Sequence, residues 1–159
     1  KLVIRWLTYP SRQELPLLAE SAQATLKDIG MDVQVKCTSD NNTIRKDPTL
    51  WDVYASAMVT APTGDPQYFF TSCALDSSVS NNGHYHSDKL EELAAQMENE
   101  FDVDKRAELG IQMQQTVLDD NAYVFCSHLR MSMIMQSNVT GLVAHPCDYY
   151  ELTADLDIN

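Results

Sequence analysis

Two imidazoles stand two residues apart in the stretch Gly83-His84-Tyr85-His86-Ser87-Asp88. In an extended segment, residues two apart project to the same side, so His84 and His86 can share a metal ion and Asp88 can add an oxygen. The competing reading is a pair of solvated loop histidines leading into a helix cap. A small metal-dependent hydrolase built on this pair needs further ligands converging on it. His128 lies in an alternating, strand-like run, where a half-buried structural role accounts for it, and His145 is distant in sequence. A serine nucleophile would need a sharp G-x-S-x-G turn, which is absent. A phosphate loop would need clustered glycines, whereas Gly30, Gly64, Gly83, Gly110 and Gly141 are scattered singly. Cys37, Cys73, Cys126 and Cys147 contain no C-x-x-C pair, which excludes zinc-ribbon and thioredoxin patterns. Their even number permits up to two disulfides, while Cys126, within an apolar run, also suits a small core residue. Met131, Met133 and Met135 alternate with Ser132, Ile134 and Gln136, which describes an apolar sheet face better than a thioether metal site. No catalytic set emerges, and no constellation among these residues argues for an enzyme.

The elements that would position these groups follow from periodicity. Residues 2–8 are β-branched and aromatic enough for a strand. Leu15, Leu18, Ala19, Ala22, Leu26 and Ile29 then fall on one helical face, with Ser11 and Glu14 as a capping box, Pro16 in the first turn and Gly30 just past the end. Residues 31–37 alternate as a half-buried strand, so the three elements predict a parallel pair joined by a right-handed crossover. A loop or short helical turn over 39–49 leads to a strand over 51–59. Next comes Thr60-Ala61-Pro62-Thr63-Gly64-Asp65-Pro66, with two prolines and a glycine in five residues. Proline fixes φ, the residue before it is pushed toward extended geometry, and Gly64 allows what a side chain would forbid, so the corner is stiff.

Residues 71–86, rich in Ser and Asn, read as a long surface loop. Two helices follow. The first starts at Ser87 or Asp88, with Leu90, Leu93, Ala94, Met97 and Phe101 on its apolar face. The second is capped by Asp102 or Asp104, with Ala107, Ile111, Met113, Val117 and Leu118 inward. Acidic groups at 102–104 suit a helix N-terminus, whereas Asp119 and Asp120 oppose the dipole and read as solvated. Residues 122–129 and 131–137 predict strands, 137–142 a turn, and 152–158 a short terminal strand or tail. The expected class is α/β, a mixed sheet flanked by helices, in a single domain spanning 1–159.

The balance of 23 acidic against 11 basic residues leaves a net charge of −12, which repels nucleic acid and anionic membrane surfaces at long range. No apolar run of about 18 residues is present to span a bilayer, so no transmembrane segment is expected. The opening residues lack the features of a signal peptide and begin a strand at once, as a segment cut from a longer chain would.

The order of these motifs resembles the C-terminal lobe of a known family, the peptide-binding and nickel-binding extracytoplasmic solute receptors of ABC importers (family 5 solute-binding proteins). The resemblance covers nearly the whole chain. It rests on Asp65-Pro66 followed by Tyr68, Phe69 and Phe70, the Asn-Gly-x-Tyr stretch before an acidic helix, and Lys105-Arg106 early in the next helix, followed by Gln114 through Asp119-Asp120 and an apolar run. It implies one lobe of a two-lobed, periplasmic-binding-protein-like receptor whose partners are a missing N-terminal lobe and an ABC permease. It also implies delivery outside the membrane, in the periplasm or as a lipid-anchored surface protein. Thr60, Ala61, Pro62, Thr63 and Gly64 would line the ligand cleft, and Asp65 and Pro66 would start a short helix. Peptide-binding relatives carry an acid a few residues before the Asp-Pro, where this chain has none. Ala61-Pro62 is closer to nickel-binding relatives, whose ligating histidine lies in the following loop, where His84 and His86 stand. Those relatives place aromatic residues around the corner, where this chain has Val59, Thr60 and Thr63. The resemblance thus implies transport of nickel or a nickel complex, with oligopeptide or dipeptide capture as the alternative, and no resident cofactor.

Overall fold

A computed structural model describes residues 1–130, 132–144 and 152–158. Strands β1 (Val3–Thr8), β2 (Asp32–Cys37) and β3 (Val53–Tyr54) form a parallel sheet in the order β2-β1-β3. Helix α1 (Glu14–Asp28) makes the crossover from β1 to β2 and buries Leu15 and Ala19. Full pairing from Val3↔Asp32 to Thr8↔Cys37 bears out the strand, helix, strand unit. The helix stops for a local reason. Gly30 adopts φ +88°, its N–H donates to Lys27 O at 3.0 Å, and Met31 N–H donates to Leu26 O at 3.0 Å, so two carbonyls of the last turn are satisfied. The predicted capping box does not form. The helix begins at Glu14 behind Gln13, which makes no side-chain cap bond, so Ser11 lies too far upstream to reach the first free N–H groups.

The strand expected over 51–59 is paired only at Val53 and Tyr54, opposite Trp6 and Leu7. Arg5 and Asp52 lock its start, with Nη2 to Oδ1 at 2.6 Å and Nε to Oδ2 at 3.0 Å. Beyond Tyr54 the chain leaves the ladder, because β1 is ending: Ala55 N–H still reaches Leu7 O, but Ala57 N–H goes to the Tyr9 hydroxyl at 3.1 Å. Short helix α2 (Asn41–Ile44) packs under this end, with Asn41 Nδ2 donating to the Tyr54 hydroxyl at 3.0 Å.

A second layer is helical. Helix α3 (Gln67–Phe69) runs into a wider π-type turn over Phe70–Ala74, and α4 (Asp88–Glu98) and α5 (Val103–Asp119) follow as a packed pair. Phe70, Ala74, Leu75, Leu90, Leu93, Ala94, Met97, Met113 and Val117 form its core. Asp102 caps α5 as expected, its Oδ1 accepting from the N–H groups of Asp104 and Lys105 at 3.1 Å each. The inward face of α5 agrees with expectation at Met113 and Val117 and differs elsewhere. Gly110, Met113, Thr116 and Val117 are buried, while Ala107, Ile111 and Leu118 are exposed. Phe101, placed by pattern on the face of α4, lies beyond the end of that helix and is 88% exposed.

The described parts of 122–129 and 131–137 have no strand ladder, and Cys126 and His128 are exposed. Alternation prepares a segment for one face of a sheet, but a ladder also needs a neighbouring strand. Antiparallel pairing occurs in a separate ribbon, β4 (Val139–Thr140) with β5 (Asp157–Ile158), so parallel and antiparallel pairs occupy two sheets of one α/β fold. Cys37, Cys73 and Cys126 are free thiols. Met131, His145 and Cys147 lie outside the described residues.

Candidate functional site

Thr60–Gly64 form an exposed or half-exposed corner between the two layers. Gly64 N–H donates to Ala61 O at 3.0 Å, closing a four-residue turn with Pro62 second. Thr63 keeps a negative φ while Gly64 takes +79°, so the left-handed residue is a glycine, as the rigid-corner reading requires. Asp65 then starts α3, its Oδ1 accepting from Gln67 N–H at 2.9 Å. A small open depression of about 200 Å³ is lined by Thr63, Asp65, Gln67, Tyr68 and Thr71.

A seam with α5 fixes this corner. Arg106 Nη2 donates to Asp65 Oδ2 at 2.7 Å and Oδ1 at 3.0 Å, and to Gln67 Oε1 at 2.9 Å. Its Nη1 donates to Met97 O at 2.7 Å and Glu100 O at 2.9 Å, satisfying carbonyls where α4 ends. One turn further along α5, Pro66 lies against Gly110 so closely that an added Cβ would stand 3.1 Å from Pro66 Cβ and 3.2 Å from Cγ. A lone glycine within a helical pattern, as Gly110 is, is itself a sign of close packing. Arg106 was visible only as part of a motif.

The histidine loop is also ordered, by side chains rather than by periodic structure. Asn81 accepts from Tyr85 N–H at 2.9 Å and donates to Tyr85 O at 2.7 Å. The Tyr85 hydroxyl donates to Asp120 Oδ2 at 2.6 Å, so Asp120 has a partner and is more than a solvated end group. His84 takes φ +52°, which breaks the extended geometry that would aim both imidazoles one way. His86 sits between two carboxylates, with Nδ1 2.9 Å from Asp76 Oδ2 and Nε2 3.3 Å from Asp88 Oδ1. The hydrogen bond and charge of Asp76, aided by Asp88, raise its pKa above the ordinary imidazole value. Asp76 and Asp88 meet opposite edges of one ring, so they do not converge on a common point with its lone pair. Among the described residues, no group of three or more His, Cys, Asp or Glu is placed to hold a metal ion.

The two sets of expected site residues occupy different ends of the helical pair. Arg106 ties Asp65 to the end of α4, whereas His86 is fastened beside its start. The 11 residues of α4 separate these ends by about 16 Å at the usual helical rise.

A parallel βαβ sheet beside a helical layer, joined through a stiff exposed corner, is consistent with one lobe of a two-lobed periplasmic-binding-protein-like receptor. The chain is similar to extracytoplasmic solute-binding proteins of ABC importers, among them nickel- and peptide-binding receptors. Over 105 residues, 66% of this chain, it is 30% identical to nickel-binding protein NikA of Staphylococcus aureus, and it spans 21% of that protein's length. The crystal structure of NikA from the same organism in complex with Ni(L-His)2 superposes with a TM-score of 0.74 and 26% identity, covering 76% of this chain and 26% of that one. The structure of a nickel ABC transporter protein from Bacillus halodurans covers 99% of this chain and 33% of its own, at 25% identity and a TM-score of 0.75. The Helicobacter pylori periplasmic binding protein DppA, solved with peptide STSA, shares the fold with a TM-score of 0.66 at 22% identity, over 77% of this chain and 25% of that one. No family model matches the chain.

Proposed function

We propose that this chain is the C-terminal lobe of an extracytoplasmic receptor that captures nickel or a nickel complex and passes it to an ABC permease. The observation that carries the reading is its 30% identity over 105 residues to a nickel-binding protein. The Thr60–Gly64 corner is the proposed cleft wall. A preformed wall lowers the ordering cost of capture, and the proline, the closed turn and the Arg106 seam all work in that direction. The opposite wall belongs to an N-terminal lobe, and the receptor works outside the membrane, in the periplasm or anchored at the surface. No helix among the described residues is long and apolar enough to cross a membrane. His84 and His86 are the proposed imidazole donors to the metal complex, His86 having to release Asp76 or Asp88 to serve.

The test uses the full-length receptor and calorimetry with Ni2+ and L-histidine. The reading expects saturable binding of the nickel complex and a loss of affinity when His84 and His86 are both replaced by alanine. Unchanged affinity in that variant would remove both imidazoles from the site. Binding of mixed peptides with no response to nickel would make the receptor a peptide importer's.

A further inference from the structure

We propose that Arg106 is a positioning residue for the Thr60–Gly64 corner: by clasping Asp65 to the end of α4, it holds a ligand-facing turn in place without touching ligand. This deepens, and rests on, the reading of that corner as cleft wall.

The clasp joins three elements through one side chain. Five hydrogen bonds run from Arg106 to Asp65, Gln67 and the carbonyls of Met97 and Glu100, and the side chain is only 19% exposed. The Asp65 carboxylate is shared between this guanidinium and the Gln67 N–H, so its position also sets where α3 begins. Gly64 immediately precedes Asp65, and its N–H closes the turn on Ala61. A displacement of Asp65 therefore passes to the corner through a single peptide bond. The planar fork matters: Nη2 meets the Asp65 carboxylate and Gln67 Oε1 while Nη1 meets two carbonyls, a geometry that the three donors of a lysine ammonium reproduce only in part. Pro66 against Gly110 adds a second, apolar fastening one turn along α5, so the corner and α5 move as one body.

The experiment uses the full-length receptor with Arg106→Met, Arg106→Lys and Asp65→Asn, read by amide hydrogen exchange across residues 60–67 and by calorimetry with Ni2+ and L-histidine. Loss of the clasp should speed exchange at Gly64 and Gln67 and weaken binding, each about tenfold or more in Arg106→Met, as expected for removal of charged hydrogen bonds. Arg106→Lys should fall between that variant and the wild type. Asp65→Asn should match Arg106→Met at Gly64, and it covers the case in which the arginine variants fail to fold. Exchange in the α4 and α5 core should change far less. A variant that melts at lower temperature yet binds with wild-type affinity, with unchanged exchange at Gly64, would overturn the proposal. If the wild-type receptor ignores the nickel complex, the nickel reading fails, and the exchange measurement still decides whether the clasp holds the corner.

Discussion

Replacing Gly110 with alanine sets two opposing effects against each other at one atom. In a helix interior alanine is favoured over glycine by about 1 kcal/mol, so an exposed site would gain stability. At Gly110 the new methyl would lie 3.1 Å and 3.2 Å from two carbons of the Pro66 ring and 3.7 Å from Met97 Cε. The methionine can swing aside. The proline cannot, because its ring is part of the backbone and its neighbour Asp65 is held by Arg106. Overpacking of this kind costs about 1–3 kcal/mol, which exceeds the propensity gain. The expected net loss is about 1 kcal/mol, or a fall in Tm of about 2–4 °C for a chain of this size. Thermal and urea unfolding would measure it. A double-mutant cycle with Pro66→Gly isolates the contact: with both Cβ and Cγ gone, Gly110→Ala should change sign and stabilise. A Gly110→Ala protein that melts higher than wild type would refute the reasoning, since it would mean the seam has room to spare.

Other expectations concern thiols and pH. Burial pushes the Cys73 thiol up to about 11, so native protein at pH 8 should be alkylated at the exposed Cys37 and Cys126 and spared at Cys73, as peptide mass spectrometry would show. Equal labelling of Cys73 and Cys37 in the native state would contradict the burial of Cys73. His86 has a folded-state pKa above its unfolded value because of Asp76 and Asp88. Its contribution is therefore fully present below the unfolded pKa and is lost as pH rises through the folded one. The stability gap between wild type and His86→Gln should shrink from acidic toward alkaline pH, and a pH-independent gap would show that the carboxylates do not hold an imidazolium.

Much of the local structure is legible in the chain. The parallel βαβ unit follows from the alternating strand at 32–37 and the apolar stripe of α1, and both the Gly30 terminus and the Asp102 cap follow from residue type at a helix end, because a handful of adjacent atoms decides each. Pattern alone placed Met113 and Val117 of α5 inward correctly but misassigned Ala107, Ile111 and Leu118. Residues 107, 111 and 118 are as apolar as those that are buried, and the choice between faces came from where α4 and Pro66 approach. The same holds for 122–129, whose alternation suits a strand although its described residues find no neighbouring strand.

The stiffness of the Thr60–Gly64 corner was therefore determined by sequence, since proline and glycine restrict or free φ wherever they stand. Its location was decided only by tertiary structure. A guanidinium 41 residues away from Asp65 supplies the clasp, and a glycine on another helix leaves space for Pro66. The fate of the histidines was settled in the same way: spacing put two imidazoles near each other, but the left-handed turn at His84 and the carboxylates around His86 arise from loop contacts that no local pattern encodes.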